Sequence, residues 1–118
     1  MGLELLENPL FNITFFGGIV FILAGLVQLI FPPKKINSRY GYRSVSSMKS
    51  QEIWDFAQKI SAKELIKVGF LLSLVSLVAV VTNFNNSINL VIGLFLMILL
   101  VIILFVRVEW EIKAKFKN

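Results

Sequence analysis

Two arginines four positions apart, Arg39 and Arg43, flank a Tyr40-Gly41-Tyr42 step, with Asn37 just before them and Trp54 eleven residues after. Arginine carries a planar fork of N–H donors that matches a carboxylate or phosphate, so a pair of them around one turn suits an anion site. Gly41 is free to take a positive φ and let the chain turn between the tyrosines, whose amphipathic rings suit the headgroup level of a membrane. Asn37, Arg39, Tyr40, Gly41, Tyr42, Arg43 and Trp54 are therefore the candidate binding residues. The same arginines also fit a structural role, bonding helix ends, and the residues alone leave both roles open.

Other chemistries lack their groups. The 118 residues include no cysteine and no histidine, which removes disulfides, thiolate nucleophiles, the usual zinc sites and histidine acid–base catalysis. The acids Glu52, Asp55 and Glu64 are interleaved with lysines at helical spacing, the pattern of a solvated face rather than of a catalytic pair. No cofactor, metal or enzymatic activity is expected.

The candidate residues must be positioned by hydrophobic elements, because 57% of the chain is hydrophobic and its mean hydropathy is +0.81, too apolar for a water-soluble domain of this size. No charged residue occurs from Asn8 to Pro33, and Leu10–Phe31 is long enough to cross a hydrocarbon layer of about 30 Å as a helix. Pro32-Pro33 end it. Glu4 and Glu7 precede this run where a signal peptide would carry basic residues, so the first span is expected to stay in the mature protein. A second uncharged stretch, Val68–Val106, is divided by Thr82-Asn83-Phe84-Asn85-Asn86-Ser87, which reads as a tight connection between antiparallel helices. The expected architecture is a single all-α integral membrane domain, 1–118, with three transmembrane helices over about 10–31, 65–82 and 88–106.

Residues 32–64 form a long basic loop whose second half is amphipathic. Ile53, Phe56, Ala57 and Ile60 recur at i, i+3, i+4 and i+7, with Asp55, Lys59 and Lys63 on the other side, which predicts an interfacial helix over about 48–62. Ser47 or Ser50 is expected to cap it, Trp54 and Phe56 to sit at headgroup depth, and a bend near Ser61 to lead into the second span. Lone Gln28 suits a hydrogen bond to a neighbouring helix, and Gly17, Gly18, Gly25, Gly69 and Gly93 mark surfaces for close helix approach.

Orientation follows from the cations. Eight lysines and arginines lie between Lys34 and Lys67, four lie beyond Val106, and none lies in the N-terminal segment or the Asn-rich turn. The positive-inside rule then puts the N-terminus outside, with the long loop and C-terminal tail in the cytoplasm. The net charge of +5 points to lipid headgroups as the anionic partner, not to nucleic acid.

Pro33, Asn37, the run Tyr40-Gly41-Tyr42-Arg43-Ser44, the serines that follow, Trp54 and Ala57 together resemble the SdpI family of bacterial membrane proteins. The resemblance extends from about Leu10 to the end of the third span, and its most specific part is Gly-x-Arg followed by the tryptophan. Val45 stands where the family tends to have proline, and Gln58 where it tends to have asparagine soon after the tryptophan. The resemblance implies a multi-pass protein of the bacterial cell membrane that gives immunity to a secreted, membrane-active peptide toxin. It also implies signalling by holding a transcriptional repressor at the membrane. The partners so implied are membrane lipids, a peptide toxin and a cytoplasmic protein. Two other readings stay open on the residues alone: a structural accessory subunit of a membrane complex or homo-oligomer, and a protein that binds lipid or a small solute.

Overall fold

The computed structural model describes residues 2–116, with side chains from Glu4, and every regular element in it is a helix. In chain order these are α1 (Gly2–Leu5), α2 (Pro9–Ile30), α3 (Gln51–Val75), α4 (Val78–Val81) and α5 (Asn86–Lys115). Helices α2 and α5, and the α3–α4 stretch Gln51–Val81, are each long and apolar enough to cross a membrane. The longest dimension is 51 Å, beyond the roughly 40–45 Å of a bilayer with its headgroups.

Local chemistry sets the helix ends. Asn8 caps α2, its Oδ1 accepting from Leu10 N at 2.9 Å, and Pro9 occupies the first turn, where a missing N–H does no harm. Pro32-Pro33 stop the helix at its far end. Ser50 caps α3 by accepting from Ile53 N at 3.2 Å, and Asn85 caps α5 by accepting from Ile88 N at 2.9 Å. At Ser76-Leu77 the α3 ladder is interrupted, and Ser76 is buried with its hydroxyl donating to Ser73 O.

The most extensive helix packing is between α2 and α3. Backbones approach at Gly18 and Gly69, where a Cβ on either residue would lie 2.5 Å from the other's carbonyl oxygen, and only glycine on both helices permits that. Helix α5 closes the bundle through one stripe, Asn89, Gly93, Leu100, Leu104, Val108 and Ile112, and displays the rest of its surface. Phe95, Ile98, Ile102 and Val106 on α5, with Val20, Leu23 and Val27 on α2, stand more than a third exposed. Apolar exposure of this extent and continuity is what a lipid-facing surface requires.

The second span differs from the sequence expectation. No interfacial helix separate from it occurs among the described residues: α3 begins at Gln51 and continues through Ser61 to Val75 without a break. Nothing between Gln51 and Gly69 breaks a helix, and while Asp55, Lys59 and Lys63 stay exposed, Ser61 and Glu64 find partners inside the bundle. Ser61 is buried and accepts from Gln28 Nε2 at 2.7 Å. Glu64, expected on a solvated face, is also buried, with Arg107 Nε at 3.1 Å and Lys67 Nζ at 3.5 Å from its carboxylate. Helix α5 also runs well past Val106, and its last turns pack Ile112 and Phe116 against the first turns of α3.

Candidate functional site

The connection from α2 to α3, residues 31–50, has no regular secondary structure, yet it is fastened at nearly every step. Asn37 Oδ1 accepts from Arg39 N and Tyr40 N, both at 2.8 Å, while its Nδ2 donates to Lys35 O at 2.9 Å, closing a side-chain-built turn. Tyr40 then reaches back to α2, its hydroxyl donating to Phe31 O at 2.6 Å, one of the carbonyls that a helix end leaves without a partner.

Gly41 follows with φ +101°, in the left-handed region. A Cβ there would lie 2.5 Å from Gln58 Oε1 and 2.6 Å from Pro33 Cγ, so both the backbone conformation and the available space demand glycine. The close approach lets Gln58 grip the next residue from both sides: Tyr42 N donates to Gln58 Oε1 and Gln58 Nε2 donates to Tyr42 O, each at 2.7 Å. Gln58 is itself buried on α3, and its backbone carbonyl accepts from Gln28 Nε2 of α2 at 2.9 Å. One glutamine thus joins α2 and α3 to the loop.

Tyr42 carries the connection on to α5. Its ring is buried beside Phe105, with centroids 5.3 Å apart, and its hydroxyl donates to Glu109 Oε2 at 2.5 Å. Ser44 Oγ donates to the same carboxylate at 2.8 Å, and Ser46 Oγ to its other oxygen. Burial first, then the hydrogen bond to Glu109 and that carboxylate's charge, push the Tyr42 phenol well above its ordinary pKa, with Ser44 working weakly the other way. The phenol is therefore held as a donor. Ser44 and Ser47 close the turn: Ser47 Oγ accepts from Ser44 N at 2.8 Å and donates to Ser44 O at 3.0 Å.

Trp54, expected at headgroup depth, is completely buried. Its indole N–H donates to Pro33 O at 2.7 Å, so the ring fills the angle between the end of α2 and the start of α3 and satisfies a carbonyl there. Phe56 is half-buried, edge-on to Phe116, with Lys115 Nζ 4.5 Å above its ring.

The seven sequence-derived residues therefore fall into two groups. Asn37, Tyr40, Gly41, Tyr42 and Trp54 form the framework that holds the loop on the bundle. Arg39 and Arg43 are exposed, and neither guanidinium has a hydrogen-bond or ion-pair partner among the described residues. Beside the framework lies a groove of about 410 Å³ bounded by Leu29, Pro32, Lys34, Asp55, Gln58 and Lys59, mostly apolar and flanked by two lysines.

The sequence expectation does not place Gln58, Glu109 or the serines 44, 46 and 47 among the candidate binding residues, although Gln58, Ser44 and the serines after it enter the comparison with the family pattern and Ser47 is a candidate helix cap. The signals were the acids Glu109 and Glu111 placed just beyond the third apolar run, among the lysines and arginine of the tail, and a serine cluster directly after the candidate motif. Their pairing spans more than sixty positions and has no local signature.

The sequence model of the SdpI/YfhL protein family matches residues 34–106, more than half of the chain, beginning at the loop and running through most of α5. Helix α2 lies outside the match. The chain is 44% identical over 57 residues to an uncharacterized protein, YfhL, of Bacillus subtilis, an alignment covering 48% of this chain and 52% of that protein. The chain thus spans about half the length of the curated relative it matches. No solved structure matches it.

Proposed function

We propose that this chain, which belongs to the SdpI/YfhL family, is a non-enzymatic protein of the bacterial cell membrane that gives immunity to a membrane-active peptide toxin. Its loop is read as a cytoplasmic docking surface through which it also signals by holding a protein partner. In this reading the N-terminus is outside, while the loop and C-terminal tail are inside, because all twelve lysines and arginines fall on that side of the spans.

The observation that carries the reading is the contrast within the loop: a backbone fastened to all three long helices, presenting two arginines whose guanidinium groups make no bond among the described residues. Basic residues that only set topology need no such scaffold, whereas recognition of an anionic group gains from donors held in place before the ligand arrives. The non-enzymatic part rests on the acids. Glu109 and Glu64 are already engaged by hydroxyls and cations, and Asp55 accepts from Gln51 Nε2 at 2.7 Å. Membrane lipids, through the lysine-flanked groove, are the second partner class.

The test is survival of a sensitive bacterial strain expressing the protein under challenge with membrane-active peptide toxins. Arg43→Ala is expected to abolish protection while the protein still accumulates in the membrane. Protection at the wild-type level in that variant removes Arg43 from the site, and no protection by the wild type against any toxin overturns the immunity reading.

A further inference from the structure

At the end of the bundle opposite the loop, α1, the start of α2, α4, the connection after it and the start of α5 border a second, open pocket of about 310 Å³. Its polar lining consists of Glu4, Glu7, Asn8, Thr82, Asn83, Asn86 and Asn89, and no lysine or arginine contributes to it. Asn89 lines it while being only 3% exposed. Its Nδ2 donates to Phe84 O at 3.1 Å, but its Oδ1 has no partner among the described residues, and buried Thr82 Oγ1 has none either. A buried acceptor left without a donor is costly and is rarely retained unless something supplies the donor.

We propose that this pocket binds a primary ammonium group carried on an alkyl chain. The unsatisfied Asn89 Oδ1 calls for an N–H donor, and the carboxylates of Glu4 and Glu7 call for positive charge. Leu5, Ala79, Val80 and Phe84 supply apolar wall for the methylenes that bring the ammonium in, and a phenyl face is itself attractive to a cation. A bare metal ion fits less well. No group of three acidic or other strong ligands that would hold one occurs among the described residues, and the space is many times the size of a dication. A soluble diamine or lysine side chain and the ethanolamine headgroup of a lipid offer the same chemistry.

The experiment uses the full chain in phosphatidylcholine nanodiscs, titrated with cadaverine by calorimetry. Saturable binding is expected, weakened at least about tenfold by E4Q/E7Q together and by N89L, and absent for cadaverine whose nitrogens are fully methylated. Glu4 and Glu7 are exposed, so their substitution tests the charge requirement without disturbing the packing that Asn89 shares. Exchanging phosphatidylcholine for phosphatidylethanolamine then separates the sources. A weaker apparent affinity for cadaverine identifies the lipid headgroup as an occupant, and an unchanged one leaves the pocket to soluble amines. Absence of saturable binding by the wild type, or wild-type affinity in E4Q/E7Q and N89L, overturns the proposal. Toxin protection does not enter this test, so it stands or falls separately from the immunity reading.

Discussion

Replacing Gln58 with leucine isolates the contact that ties the loop to the helices. The two side chains have similar volumes, so the change leaves no large cavity, but it removes both partners of the Tyr42 peptide groups, bonded at 2.7 Å each. Tyr42 is only 6% exposed and Gln58 1%, so water does not readily replace them. An orphaned buried donor or acceptor costs about 1–3 kcal/mol, and two of them, less what the added apolar surface returns, amount to about 2–4 kcal/mol against the closed loop. That penalty falls mainly on local opening of residues 31–50, because the shorter bond that Gln58 accepts from Gln28 of α2 runs to its backbone carbonyl, which leucine keeps. Limited trypsinolysis reads it directly, because Arg39, Arg43 and Lys49 lie in the loop and the protease needs the segment opened and extended. Where opening is fast relative to cleavage, the rate follows the open population and is expected to rise about 30- to 1,000-fold in Gln58→Leu, with helical circular dichroism unchanged. A rate within about threefold of the wild type would refute the assignment of Gln58 as the clamp.

Other substitutions probe the same construction. Gly41→Ala is expected to raise loop cleavage by at least about tenfold, since alanine must adopt φ +101° and place its Cβ 2.5 Å from Gln58 Oε1. Gly69→Val is expected to destabilise the bundle by about 1–3 kcal/mol, seen as a lower Tm in detergent, because any Cβ there lies 2.5 Å from Gly18 O on α2. In a Tyr40→Phe background, the absorbance near 295 nm is expected to show Tyr42 still protonated at pH about 10, where an ordinary tyrosine is half ionised. The folded phenol binds its proton more tightly than the unfolded one. Its contribution to stability is therefore complete below pH about 10 and is lost as pH rises from there through the raised folded value. A normal tyrosinate titration would show that Tyr42 is not enclosed with Glu109.

The three spans were legible from the sequence because a long uncharged apolar run has few alternatives once it must satisfy its own backbone hydrogen bonds in lipid. Asn8-Pro9 and Pro32-Pro33 bracket α2 for equally local reasons, a side-chain cap and a missing N–H. The family resemblance was legible in Tyr40-Gly41-Tyr42-Arg43 and Trp54, a run specific enough to stand apart from the hydrophobic background. Helical periodicity also identified the start of α3, but it did not decide which surroundings the amphipathic face would meet. A face of isoleucine, phenylalanine and tryptophan suits lipid headgroups and a protein interior equally well. Only the tertiary structure, by bringing Pro33 O to the Trp54 indole and the end of α5 over Phe56, turned that face inward. The division of the candidate residues was likewise beyond local reading. Whether Tyr42 serves as an anchor at the interface or a buried donor depends on Gln58, sixteen positions away, and Glu109, sixty-seven away. Residues that meet only after three helices have packed leave no spacing pattern in the chain, because their register is set by Gly18 against Gly69 and by the α5 stripe rather than by their separation in sequence.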